Sequence, residues 1–152
     1  MSAQDTSYDS VVVGIDGSDR AAIAFRDALS LAKLSGAKLH LVHVVHPAVP
    51  AGFSNSYQSQ LALDRDREDA ERISEQALAE AEREGVAAEV HHPGGDAADG
   101  IINIAEAVNA DLIVVGNRGM TGAKRFVLGS VPNSIAHRAP CSVLIVKTDR
   151  EE

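Results

Sequence analysis

"VVVGIDGSDRAAIAFRDALSLAKLSGAKLHLVHVV", Val11 to Val45, is the stretch that decides the fold. Two short runs rich in β-branched residues, Val11 to Asp16 and Lys38 to Val45, flank a segment in which Ala21, Phe25, Ala28 and Ala32 recur at helical spacing. Ser18 stands where a helix N-cap belongs, and Gly36 stands just past the last periodic residue. Strand, helix and strand in this order form a crossover unit, the connection that two parallel strands require.

The same alternation continues outward. "AAEVHH" (Ala87 to His92), "DLIVVG" (Asp111 to Gly116) and "CSVLIVK" (Cys141 to Lys147) read as three further strands. A second, acidic helix is expected over Leu61 to Glu84, with Ala70, Ile73, Ala77 and Ala81 on its apolar stripe and a stop at Gly85. A third follows the cap Asp96, with Ala98, Ile101, Ala105 and Val108 in period, and a shorter fourth begins at Ser130, where Pro132 is tolerated in the first turn. The expectation is a single α/β domain over residues 10–148 between tails at 1–9 and 149–152. Its parallel five-stranded sheet has the order 3-2-1-4-5 and helices on both faces. Ligands of such sheets bind beyond the carboxyl ends of the strands at the switch point, here between the first and fourth strands. Only "PAVPAGFSNSYQSQ", from Pro47 to Gln60, breaks the rhythm and reads as a long loop.

The two loops at the switch point carry the chemistry. "GIDGSD" leaves the first strand, and "GNRGMTGAKRFVLGS", Gly116 to Ser130, leaves the fourth. Gly116 and Gly119 let backbone amides approach a ligand closely, and Gly129 and Ser130 open a helix whose amides and dipole favour a phosphate. The nine residues Met120 to Leu128 form an excursion between the two corners. A plainer reading keeps the glycines as turn formers and Ser130 as a cap. Arg118, between the glycines, is the favoured phosphate cation over Lys124 and Arg125. Asp16 either accepts from a ribose hydroxyl or an adenine amino group, or caps the helix that follows.

Charge supports a local anion site, with a merely solvated basic face as the plainer alternative. The net charge is −8, yet Leu112 to Thr148 contains Arg118, Lys124, Arg125, Arg138 and Lys147 and no acidic residue. An acidic protein with one basic segment attracts a small anion and repels polyanions, which argues against nucleic acid or an anionic membrane as partner. The polar N-terminal residues do not resemble a signal peptide, and the lone Cys141 gives no internal disulfide. No apolar run approaches the roughly 20 residues of a membrane span. A cytoplasmic location is the expectation.

The spacing G-x2-G-x9-G-S resembles the ATP-binding motif of the universal stress protein family. So do "VGIDGS" in the first strand, "VHVV" in the second and "GSVPNSIAHRAPCSVLIVK" at the end, so that the resemblance extends from Ser10 to Lys147. It implies a Rossmann-like, adenine nucleotide alpha hydrolase-like fold and a site formed by Gly14, Asp16, Val44, Gly116, Arg118, Gly119, Gly129, Ser130 and Val131. Asp16 and Val44 would lie near the adenine, Gly116 near the ribose, and Gly119, Gly129 and Ser130 around the phosphates. The ligand implied is ATP, with cyclic AMP as the alternative; if a metal takes part, the carboxylates of Asp16 and Asp19 are the residues that would hold Mg²⁺. The resemblance also implies a homodimer joined through Val143 to Lys147.

Other chemistries fit poorly. "GIDGSD" has Gly14 where a phosphatase of the D-x-D-G-T type needs its nucleophilic aspartate, and neither G-x4-G-K-[ST] nor G-x-G-x-x-G occurs. His137, seven residues into the last helix, stands about 10 Å along the axis from its anion-binding end. It is a poor candidate for activating water, and slow or absent ATP turnover is expected, with a slow ATPase or phosphotransferase that borrows a group from a partner as the other possibility. His91 and His92 are adjacent in a strand and face opposite sides, while His40 and His46 are dispersed in sequence, so no metal site is expected among them.

Overall fold

The computed structural model describes residues 7–45, 57–118 and 127–149. Five strands and four helices alternate: β1 (Ser10–Gly14), α1 (Asp19–Ser35), β2 (Lys38–Val42), α2 (Tyr57–Arg83), β3 (Ala88–His91), α3 (Ala97–Ala107), β4 (Leu112–Gly116), α4 (Ser130–Arg138) and β5 (Ser142–Val146). All strands are parallel, in the order β3-β2-β1-β4-β5. The expected sheet is the one observed.

The helices cover both faces because the strands are apolar on both. Val11, Val13, Leu39, Leu41 and Val114 point toward α1 and α2 and pack on Phe25, Ala28, Leu29, Ala77 and Ala81. Val12, Val42, Ile113 and Val115 point the other way, toward Ile101, Ile102 and Ala105 of α3 and Ile135 of α4. Leu39, Leu41, Ile113 and Ile135 are among the large side chains that are almost wholly enclosed. Burial on this scale, at about 25 cal/mol per Å² of apolar area, is the main force holding the layers together.

Local chemistry sets the boundaries. Ser18 Oγ accepts from the Ala21 amide at 3.1 Å to start α1, and Gly36, at φ 74°, closes it by donating to the Ala32 carbonyl. Asp96 caps α3 through the Asp99 amide at 3.2 Å. Gly85, at φ 73°, follows the end of α2. At the base of the sheet the Asp111 carboxylate accepts from the amides of Asp9 and Ser10, at 2.8 and 2.9 Å, which ties the start of β1 to the start of β4.

The second helix departs from expectation at its start. It begins at Tyr57 rather than Leu61, so residues 57–60 belong to the helix and not to the preceding loop. Polar, straight-chain glutamines have good helix propensity and simply extend the acidic helix backward. The rest of that loop, residues 47–56, and His46 lie outside the described residues.

Candidate functional site

The site is built where β1 and β4 end side by side. Beyond β1 the chain turns through Ile15, Asp16 and Gly17, with Gly17 at φ 82°, a conformation that side chains other than glycine adopt only with strain. The Asp16 carboxylate accepts from the Ser18 amide at 2.8 Å and so holds the turn that delivers the N-cap of α1. Asp16 does not itself cap α1, a task that Ser18 performs, but fixes the turn before it, and its carboxylate retains acceptor capacity beyond this one bond.

Beyond β4 the two ends of the glycine segment meet. The Gly129 amide donates to the Asn117 carbonyl at 2.9 Å, which brings the start of α4 back to the end of β4. A Cβ on Gly129 would sit 3.3 Å from Arg118 Cα and 3.5 Å from the Asn117 carbonyl oxygen. A Cβ on Gly116 would sit 3.0 Å from Thr148 Cγ2 and 3.4 Å from the Arg118 carbonyl oxygen. These glycines therefore allow the backbone strands of the corner to pack against one another. The corner ends at the first turn of α4, where Ser130 and Val131 supply amides outside the helical hydrogen-bond ladder. Gly119, with Lys124 and Arg125, lies outside the described residues.

Arg118 has a partner that its sequence neighbours do not reveal. Its guanidinium is almost wholly buried and donates to Asp149 Oδ2 at 2.7 Å, while Asn117 Nδ2 donates to the other Asp149 oxygen at 3.3 Å. Asn117 Oδ1 in turn accepts from the amide and the hydroxyl of Thr148, at 2.9 and 2.8 Å. Hydrogen bonding to Arg118 holds the Asp149 carboxyl below its ordinary value. The basic segment is also compensated at a second point, where Arg138 pairs with Asp99 at 2.8 Å. The uncompensated run of positive charge seen along the sequence is in part neutralised by folding. Asn117, Thr148 and Asp149 are residues of this corner that sequence reasoning missed. An asparagine directly after a buried strand is a turn organiser by type, which is the signal that pointed to the first.

The remaining expected residues fall on the α3 side. Gly14 faces Ile101, whose Cδ1 would be 3.1 Å from an added Cβ, and Val44 Cγ2 occupies the space above Gly100. Val44 and Val131 are partly buried against the apolar cluster of that face. The structure thus brings Gly14, Asp16, Val44, Gly116, Arg118, Gly129, Ser130 and Val131 to the carboxyl-terminal end of the sheet or the adjoining helix start. A separate groove of about 280 Å³ opens between α1 and α2, lined by Ile15, Gly17, Ser18, Phe25, Arg72 and Ile73 among others. It touches the β1 turn and none of the β4 corner. Cys141 is half-buried beside α4, and burial pushes its thiol up, as befits a small packing residue.

No helix among the described residues is long and apolar enough to cross a membrane. The profile of the universal stress protein family matches residues 7–147. A universal stress protein of Bacillus subtilis, YxiE, is 36% identical over 92% of this chain and 99% of its own. Among solved structures, a universal stress protein in complex with cyclic AMP superposes with a TM-score of 0.74 at 32% identity, covering 95% of this chain and all of the other. One from Archaeoglobus fulgidus in complex with dAMP gives 0.65 at 27% identity, covering 92% and 98%. With the adenine nucleotide alpha hydrolase-like sheet order, the glycine corner and a match over almost its whole length, this chain belongs to the universal stress protein family.

Proposed function

We propose that this protein binds an adenine nucleotide, with ATP as the working ligand, and uses it as a signal with slow or no hydrolysis. The observation that carries the reading is the closure of Asn117 on Gly129, which sets the two ends of G-x2-G-x9-G-S together beside the β1 turn. Amides at the start of α4 supply donors for phosphate oxygens, and Asp16 supplies an acceptor for a ribose or adenine group. Gly119 and Arg118 complete the phosphate contacts. If Mg²⁺ accompanies the triphosphate, Asp16 in the β1 turn and Asp19 at the start of α1 are the oxygen donors of the type that ion takes. Occupation of the glycine corner alters the surface around it, and that altered surface is what a partner protein reads.

Cyclic AMP is the second reading, favoured by the relative whose complex with that nucleotide is 32% identical to this chain. The same amides and Arg118 suit its compact phosphate. Calorimetric titration of nucleotide-free protein with ATP, repeated under saturating cyclic AMP, separates the two. ATP binding that cyclic AMP leaves unchanged supports the first reading; strong competition selects the second; binding of neither nucleotide refutes both. Gly119→Val should abolish ATP binding, and turnover near an ordinary enzyme rate of about 10 per second would overturn the sensing role.

A further inference from the structure

Three potential metal ligands meet at the opposite edge of the sheet from β5, away from the glycine corner. His40 of β2 lies directly across from Glu89 of the edge strand β3, and His91 lies two residues farther along the same face. His40 Nδ1 and His91 Nε2 are 3.0 Å apart, and Glu89 Oε2 is 4.0 Å from His40 Nδ1. One donor atom from each of the three residues lies within 4.8 Å of the other two. Reading histidines one strand at a time, as adjacent or dispersed in sequence, misses this arrangement, because it depends on the pairing register of β2 with β3.

We propose that His40, Glu89 and His91 form a binding site for Zn²⁺ or a closely related divalent transition ion. Two imidazoles and a carboxylate are the donor set of open tetrahedral zinc sites, in which water takes the fourth position. Two nitrogens out of three donors select against Mg²⁺ and Ca²⁺, which prefer oxygen. At Zn–N distances of about 2.0–2.1 Å, tetrahedral ligand nitrogens stand about 3.3 Å apart. The observed 3.0 Å therefore needs to open only slightly. Each imidazole must offer a lone pair, so the proton shared between the two nitrogens moves to the other nitrogen of its own ring or leaves to solvent, and the hydrogen bond is exchanged for two bonds to the metal.

The surroundings favour this exchange. The His40 side chain is 6% exposed and is held against β3 by the register that sets it opposite Glu89. A neutral, buried imidazole is the form that ligates. The competitor for the carboxylate is Lys38, whose Nζ is 2.9 Å from Glu89 Oε2. That pair is about half exposed on both sides, and such pairs contribute little, so a divalent ion displaces the ammonium readily. An ion held here staples the edge strand β3 to β2.

The test uses the untagged full chain, stripped with a chelator and titrated with Zn²⁺ alone by calorimetry, with Co²⁺ absorbance as a second readout. One Zn²⁺ per chain, a rise in melting temperature and a tetrahedral Co²⁺ spectrum are expected. His91→Ala should weaken binding by more than about a hundredfold, since losing even an outer-sphere partner costs about 10- to 100-fold. Glu89→Gln, an exposed change that leaves packing intact, should weaken it about tenfold or more, and His92→Ala, on the opposite face, should change nothing. Absence of Zn²⁺ binding, or binding that survives both His91→Ala and Glu89→Gln, would overturn the proposal.

Discussion

Arg118 and Asp149 show how one pair of residues can hold a site in readiness. Asp149 presents two oxygens to Arg118 and Asn117 much as a phosphate would, so its carboxylate and a nucleotide phosphate compete for the same guanidinium. Asp149→Asn should therefore tighten ATP binding severalfold, and Arg118→Ala should weaken it, both measured by calorimetry. The pair also carries a pH dependence whose sign is fixed. Its folded carboxyl titrates below the ordinary aspartate value of 3.8, so its stabilising contribution is complete above that value and is lost as the pH falls through the folded pKa. Acid unfolding of Asp149→Asn should lack this component, seen as a shallower loss of stability below about pH 4. That Arg118 stands at this corner was legible from its place between two glycines. The partner was not, because Asp149 follows the last strand and becomes a neighbour only when β4 and β5 pair.

At the level of the element, boundaries were legible wherever a side chain or a glycine performs a local task. Ser18, Gly36 and Asp96 stop or start helices through bonds spanning a few residues, and the structure uses each as expected. Ser18→Ala should cost about 1 kcal/mol by thermal unfolding. Gly36→Ala meets no atom within 4 Å, so its penalty, about 1 kcal/mol, comes from the left-handed backbone alone. In α4, Ile135 is wholly enclosed, and Ile135→Ala should cost about 3 kcal/mol and loosen the first-turn amides proposed to meet the nucleotide. The start of α2 was not legible. Its first turn lacks an apolar stripe, and a polar stretch beside prolines and serines has the composition of a loop whether or not the helix continues into it.

For the whole molecule, the order of strands was legible from crossover rules, and it leaves β5 and β3 as edges. Leu144 on β5 is 36% exposed, a large apolar side chain on a strand with one unpaired side. The proposed homodimer through Val143 to Lys147 predicts that Leu144→Lys yields monomers by sedimentation while circular dichroism stays unchanged. The central place of β1 has a consequence for biosynthesis. Its first partner, β2, emerges from the ribosome soon after it, but its second partner, β4, lies about a hundred residues downstream. Until Leu112 to Gly116 is made, the nascent half-sheet carries a bare apolar flank at what becomes the middle of the protein. Between synthesis of its second and fourth strands the growing chain therefore has one side of its central strand open to pairing with other chains.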